Sequence, residues 1–441
     1  MPHSIAPTSS SLDYWPPWPL FNAQKAENRP ENVNIKQEII QRYGEEGIRR
    51  SWLQTCATLE QVTAEIEAKK TAMIPALTLD ELLNASEEKK QALRSLGCFV
   101  VRGVVPRNEA TQWYWDLKGY VNENRDHITG FPEPSPYMFN VYHSPAQQAG
   151  RSHPNSLAVQ RALLQLWHDD DDLSKSFAEP LSYADAFRIR APKSDGVFTL
   201  PPHIDGGSLS RWADKTYSST YSAIFSGNPE KHDPYDLTVR KNARSALFPG
   251  TASSVLRAFQ GWTALTECGP KEGSLLLYPN LHVASAYMLL RPFFDPPEND
   301  EELLDAEKWT FNAQSEWFPG TFTAKPQMLS PNCHPHLKLE KCMIDIPRMF
   351  PGDTVWWHAD MIHAVEQKHE GEYDSSVMYI AATPSTSGNI SYIKEQLRSF
   401  ENGLPPSDFM QGTNETVFKG YLGEAGIMNG EAGRRAAGFG L

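Results

Sequence analysis

The chain lacks several features that would assign it a function at once. Its 441 residues hold no window approaching the roughly 18 consecutive apolar residues of a membrane-spanning helix. Met1 to Pro19 shows no basic region followed by an apolar run, as a secretory leader would. The five cysteines (Cys56, Cys98, Cys268, Cys333, Cys342) are odd in number, scattered and without a CxxC. That usage fits free thiols in a reducing compartment, and a cytoplasmic protein is expected. Positive charge is also short. Lys and Arg number 41 against 54 Asp and Glu, a net charge of -13, which argues against non-specific nucleic-acid binding. It leaves room for an anionic substrate in a local basic pocket. No glycine loop of the phosphate-cradling kind, no nucleophile elbow and no internal repeat are found.

What is present is apolar and aromatic. Hydrophobic residues make up 40% and aromatics 11%, with 12 tryptophans, so the chain is globular. Residues 1–35 are rich in Pro, Ser and Asn and read as an arm, with Tyr14, Trp15 and Trp18 expected to lie against the body. Residues 36–95 read as helical, packing on the core. Ile35, Ile39, Ile40 and Tyr43 recur on one helix face, and Thr78 or Asp80 is a helix start. Gly97 ends a polar helix, and 98–105 is a compact strand, followed by a helix over 108–124. The stretch 129–155 reads as a long loop, and Leu157 to Trp167 as a short helix. Beyond residue 180 the pattern turns to short strands: 183–190, 197–200, 257–266, 273–278, 343–347, 353–358 and 377–382. Long insertions over 208–253 and 291–341 separate them. Such a pattern suggests a sandwich, jelly roll or barrel whose mouth the insertions cover. The core domain is placed at 96–400 and a weakly patterned, Gly-rich tail at 401–441.

The chemistry centres on Pro201-Pro202-His203-Ile204-Asp205-Gly206-Gly207. Two residues apart on a strand, His203 and Asp205 leave the same face. They make two parts of the 2-His-1-carboxylate triad that holds non-heme Fe(II) with open positions. The third ligand is sought late in the chain, in Phe350-Pro351-Gly352-Asp353 through His358 to Ala364-Val365. Two histidines compete there. His363 is favoured as the ligand, with His358 behind it or in the core. Cys333-His334-Pro335-His336 with Cys342 matches no common structural zinc site. His168 and the run Asp169 to Asp172 read as a solvated helix end.

The ordered blocks LGCFVVRGVV (96–105), PPHIDGGSLSRW (201–212), GWTALTECGPKEGSLLLYPNLH (261–282), FPGDTVWWHADMIHAV (350–365) and GRRAAGFGL (433–441) resemble Fe(II)/2-oxoglutarate-dependent dioxygenases of the phytanoyl-CoA-hydroxylase-like type. More narrowly, they resemble the DUF1479 family. The likeness covers most of the chain from about residue 50. It implies an α+β fold, mainly β, with a double-stranded β-helix (jelly-roll) core. By position, His203, Asp205 and His363 match the iron ligands, and Trp262 falls near 2-oxoglutarate. One departure stands out. These enzymes usually carry an arginine about ten residues beyond the distal histidine, to pair with the far carboxylate of 2-oxoglutarate. Here 366–376 contains none. Arg188, Arg190, Arg257 and Lys368 are the replacement candidates. Arg188 and Arg190 are preferred because they share one strand face.

The expected activity is therefore that of an iron- and 2-oxoglutarate-dependent oxygenase acting on a small organic molecule with O2. The alternatives are a cupin-like isomerase or hydrolase using another divalent metal, and a silent jelly-roll binding protein. Neither nucleic acid nor membrane is an expected partner. Trp212, Trp262, Trp356 and Trp357 are candidates for drying the site, with ordinary core as the plainer role for Trp356 and Trp357.

Overall fold

The computed structural model describes residues 29–193, 200–243, 255–321, 326–409 and 412–441. The expectations for the arm aromatics and for a strand over 197–199 lie outside the described residues.

The fold is α+β with three sheets. Its strands in chain order are β1 (Ala76–Thr78), β2 (Cys98–Arg102), β3 (Gly130–Phe131), β4 (Met138–Phe139), β5 (Pro180–Leu181), β6 (Phe187–Arg190), β7 (His203–Ile204), β8 (Phe259–Ala264), β9 (Leu275–Leu277), β10 (Phe294–Asp295), β11 (Thr310–Phe311), β12 (Gln327–Met328), β13 (Ile344–Asp345), β14 (Thr354–His358), β15 (His363–Val365) and β16 (Ser375–Pro384). The large sheet has nine strands and runs β1-β2-β14-β8-β16-β6-β4-β3, with β5 added on β16. A five-stranded sheet runs β12-β7-β15-β9-β13, and β10 pairs with β11. Apart from the parallel β1·β2 pair, the ladders are antiparallel.

Register decides which side chains meet between the two larger sheets. Residues paired across a ladder share a face, as do residues two apart on one strand. Gln260 pairs with Trp357 and Trp262 with Val355. Tyr379 pairs with Trp262, and Arg188 with Val377. Gln260, Trp262, Trp357, Tyr379 and Arg188 therefore look the same way, toward the five-stranded sheet. Contacts across the gap bear this out: Gln260 reaches Asp205, Trp357 lies 5.1 Å from the His363 ring, and Arg188 donates to the Gly273 carbonyl.

The helical N-terminal region forms as two helices, Asn32–Tyr43 and Glu45–Lys69. Gly44, at φ +85°, breaks the pattern between them. The second helix buries Ile48, Trp52, Leu59, Val62 and Ile66. Trp52 stacks on Phe294 at 4.4 Å and on Tyr287 at 5.4 Å, so this helix leans on the 291–341 insertion. Thr78 caps Leu79–Leu83 with a full capping box, and Gly97 closes Glu87–Leu96 in the left-handed region.

Three expectations are corrected. The 129–155 stretch is not all loop. It holds β3, β4 and the helix Pro145–Ser152, started by a Ser144/Gln147 capping box with proline in its first turn. The tail beyond Gly403 carries the helix Gly430–Ala436. It is anchored by Glu415, 1% exposed, which accepts from the backbone N–H of Tyr142 and His143. The strand expected over 183–190 shortens to Phe187–Arg190. All five cysteines are buried and unpaired. Among the described residues no helix is long and apolar enough to cross a membrane.

Candidate metal centre

The structure brings His203, Asp205 and His363 together. His203 on β7 pairs directly with His363 on β15, and their rings stand 4.2 Å apart. Asp205 follows one residue after β7 ends, and its carboxylate turns back between them. Its Oδ1 lies 3.4 Å from His203 Nε2, and its Oδ2 lies 3.8 Å from His363 Nε2. One ligand atom from each residue falls within 4.8 Å of the others, and among the described residues this is the one such group of three or more. Adjacent ligands on an octahedral ion with bonds of about 2.1 Å would be about 3 Å apart. The three atoms lie within 4.8 Å of one another and must draw closer to sit on one face of such an ion.

Each histidine's other nitrogen is already committed. His203 Nδ1 lies 2.6 Å from the Pro201 carbonyl, and His363 Nδ1 lies 3.0 Å from the Met361 carbonyl. A carbonyl only accepts, so Nδ1 must carry the proton and a neutral ring has Nε2 free. Hydrogen bonds of this kind orient metal-binding histidines generally. Burial, with His203 beside it, pushes His363 down to about 3, so it is neutral at ordinary pH. Burial opposes charge on His203 too, but the Asp205 contact outweighs it and raises the pKa. Asp205 is held well below the carboxylate range; its desolvation is overcome by His203, His363 and Arg257.

The carboxylate is held from the large sheet as well. Gln260 Nε2 donates to Asp205 Oδ2 at 2.5 Å, and Arg257 Nη2 lies 3.6 Å from the same oxygen. Behind the triad sits Asp360, fully buried. Arg240 pairs with it through both terminal nitrogens at 2.5 and 2.7 Å, and Arg211 Nη1 does so at 2.6 Å. Arg211 Nη2 then donates to the Gly206 carbonyl at 2.7 Å and to that of Asp205 at 3.2 Å. The turn before His363 is thereby tied to the turn that carries Asp205. Burial disfavours the charged Asp360, yet the two guanidiniums keep its pKa well below the usual range.

His358 is a core histidine. Its Nε2 faces the Pro234 carbonyl at 3.1 Å and its Nδ1 accepts the Asp360 N–H. The ring stacks on Trp167 at 4.9 Å. With both nitrogens spent and no exposed surface, it has nothing to offer an ion. Trp262 lies on the site-facing side of β8, two residues beyond Gln260. Arg188 Nη2 bonds the Gly273 carbonyl at 3.0 Å and Ser375 Oγ at 3.3 Å, while its Nε is buried without a partner. Arg190 Nη1 bonds the Glu366 carbonyl at 2.8 Å, and Nη2 bonds that of Gln367. Both arginines thus brace the two sheets. Lys368 is exposed. Gln260, Arg211 and Asp360 were not singled out from the sequence. Gln260 was accessible, lying two residues before Trp262 on the same strand face. The Arg211 and Asp360 partnership joins distant segments, and no local pattern reveals it.

A family model described as Gig2-like matches residues 28–439. The chain belongs to the Gig2-like family. A relative is YbiU of Escherichia coli (strain K12), 30% identical over 375 residues, 81% of this chain and 84% of YbiU. The crystal structure of GlcNAc Inducible Gene 2, GIG2 (DUF1479), from Candida albicans is 26% identical, with TM-score 0.82 over 93% of this chain and 90% of that one. Another solved structure, named "Putative Oxidoreductase" and from Salmonella typhimurium LT2, is 28% identical, with TM-score 0.79 over 94% of this chain and 98% of that one. The triad, its carbonyl-bonded histidines and the Gln260 contact are therefore features of a Gig2-like chain.

Proposed function

We propose that this protein is a mononuclear Fe(II), 2-oxoglutarate-dependent oxygenase that oxidises a small organic molecule, built on a double-stranded β-helix core within residues 96–400. One observation carries the reading: one nitrogen from each histidine and one carboxylate oxygen lie within 4.8 Å of one another, both Nε2 atoms facing Asp205 and both Nδ1 atoms on backbone carbonyls. Two imidazoles, each neutral once it ligates, and one carboxylate suit Fe(II) and leave open positions on the ion. The oxidoreductase name of the Salmonella typhimurium relative points the same way.

In this reading His203, Asp205 and His363 hold the metal. Gln260 keeps the Asp205 carboxylate turned toward it. When bound, Fe(II) with 2-oxoglutarate and O2 supplies the oxidising power for a substrate C–H bond. The protein's share is to position and to exclude water. Trp357, 5% exposed, covers the His363 ring. Trp262, 4% exposed, and Arg188 on the same face are the proposed contacts of the 2-oxoglutarate chain. The unpartnered Arg188 Nε supports a role in carboxylate recognition, with Arg190 bracing the strand beside it. Arg188 stands across from Val377 on β16, the strand that follows the position where such enzymes usually carry their arginine.

The test is anaerobic. Fe(II) with 2-oxoglutarate should give a weak visible charge-transfer band, and admitting air should then yield succinate. Bound iron with neither band nor succinate would refute the oxygenase reading and favour a non-oxidative metal enzyme.

A further inference from the structure

A cleft opens beside Asp205, lined among others by Gly207, Tyr217, Arg240, Arg257 and Gln260. Most of its charged groups are already spent. Arg240 gives both terminal nitrogens to Asp360, and the neighbouring Lys241 binds Asp169 and Asp171. Arg257 is different. Its closest carboxylate oxygens are Asp205 Oδ2 at 3.6 Å and Asp185 Oδ2 at 3.9 Å, both beyond hydrogen-bond reach. The two acids and the Tyr183 ring, 5.4 Å away, place the guanidinium without using its donors.

Gln260 supplies the complement. Donation of its Nε2 to Asp205 fixes the amide so that Oε1 is an acceptor. That oxygen is buried with no partner, in a side chain only 5% exposed, a costly arrangement unless something donates to it. Gly207 opens the cleft. At φ +90°, with a Cβ that would stand 2.6 Å from the Tyr217 hydroxyl, it admits the tyrosine as no other residue would.

We infer that this cleft receives a substrate bearing a monoanionic carboxylate and, next to it, a hydroxyl or amine. The carboxylate pairs with the Arg257 fork, and the hydroxyl or amine donates to Gln260 Oε1. A monoanion suits one guanidinium flanked by Asp185 and Asp205, whereas a dianionic phosphate would face both acids at close range. The assignment rests on the oxygenase reading, which makes Asp205 a metal ligand and this cleft the approach to the metal. The far carboxylate of 2-oxoglutarate has the same anionic chemistry but brings no donor for Gln260, and the test separates the two.

The full chain is loaded anaerobically with Fe(II) and 2-oxoglutarate. Binding of lactate, 3-hydroxybutyrate and their methyl esters is then read by calorimetry. The acids should bind about tenfold or more tightly than the esters, the margin of a charge-assisted bidentate pair. Arg257→Gln should erase that margin when it is measured at Fe(II) and 2-oxoglutarate concentrations that restore full loading, since Arg257 also lies against the Asp205 carboxylate. Arg257→Lys should keep part of it, which separates lost recognition from misfolding. Gln260→Met should remove the preference for 3-hydroxybutyrate over butyrate. Equal binding of acid and ester, or no acid binding into the millimolar range, overturns the inference. So does an Arg257→Gln protein that loses the band but keeps the margin, since the guanidinium would then serve the co-substrate. A wild-type protein with the margin but no band would fail the oxygenase reading alone and uphold the anion cleft.

Discussion

Two buried histidine clusters in this molecule look alike in sequence and differ in what stands at their centre. His203 and His363 converge on a carboxylate, Asp205, at 3.4 and 3.8 Å. In the 291–341 insertion, Cys333, His334 and His336 surround a cation. Arg291, 2% exposed, donates to the Cys333 carbonyl at 2.7 Å and lies 4.4 Å from the Trp309 ring centroid. Burial, then Arg291, pushes His334 to about 3 and His336 to about 4. His334 Nδ1 accepts the Ser330 N–H, and His336 Nδ1 lies 3.2 Å from the Tyr287 hydroxyl. Cys333 sits in a site that raises its thiol pKa to about 11, far from the thiolate a metal needs. A metal needs negative charge where the nitrogens point. One cluster provides it, and the other fills the place with a guanidinium.

The sharpest way to break this contrast is to remove the ligands on one side and the look-alikes on the other. His203→Ala, Asp205→Ala or His363→Ala should weaken Fe(II) binding by more than about 100-fold, beyond what loss of a supporting hydrogen bond costs. Cys333→Ser and His334→Asn should leave it unchanged, as read by equilibrium dialysis. Asp360→Asn comes next. It strips the carboxylate from two buried guanidiniums and should cost about 3–5 kcal/mol of unfolding free energy, measured by urea denaturation.

Acid should act on the insertion before it acts on Asp360. His334 and His336 are bases whose folded pKa values lie below the unfolded one, so the unfolded chain binds more protons. Their contribution is present above the unfolded histidine value of about 6.5 and is lost as pH falls toward about 3 to 4, at up to about 1.4 kcal/mol per pH unit for each. Stability measured from pH 7 down to pH 4 should fall accordingly, and His334→Asn should flatten the slope. The Asp360 carboxylate, with its pKa depressed, keeps its contribution until much stronger acid. The smallest effect is expected from Gln260→Leu, which leaves the ligands but frees the Asp205 carboxylate to turn. Fe(II) affinity should drop about tenfold.

The triad was legible because both halves carry local signals. The HxD spacing sits at a strand end, and His363 follows a Pro351-Gly352-Asp353 turn that the fold uses as read. Gly352, at φ +91°, packs where a Cβ would strike the Val105 carbonyl, and the Asp353 carboxylate closes the turn by accepting from Phe350 N–H and ties it to the end of β2 by accepting from Gly103 N–H. Strands β8, β9, β13, β14 and β16 were visible for the same reason, as runs of apolar residues between turn residues, whereas the two-residue strands β10, β11 and β12 lay hidden in the 291–341 insertion. The helix Leu281–Leu290 was not seen, because it is buried on nearly all sides and shows no amphipathic period. The helix Ser387–Glu401 also went unread, at the edge of the expected tail. The supports of the site were hidden for a different reason. Arg211, Arg240 and Asp360 act together only through tertiary contacts of |i−j| = 149 and 120, and nothing in either segment announces the partner. Arg257 was one of four candidate cations in sequence. Only its place beside Asp205 distinguishes it.

The central claim is that a metal binds between His203, Asp205 and His363 and not in the insertion. X-ray absorption on the anaerobic Fe(II)-loaded protein tests it most directly. The predicted result is a shell of nitrogen and oxygen with two imidazoles and no sulfur. A sulfur ligand at about 2.3 Å, placing the metal at Cys333 or Cys342, would contradict it.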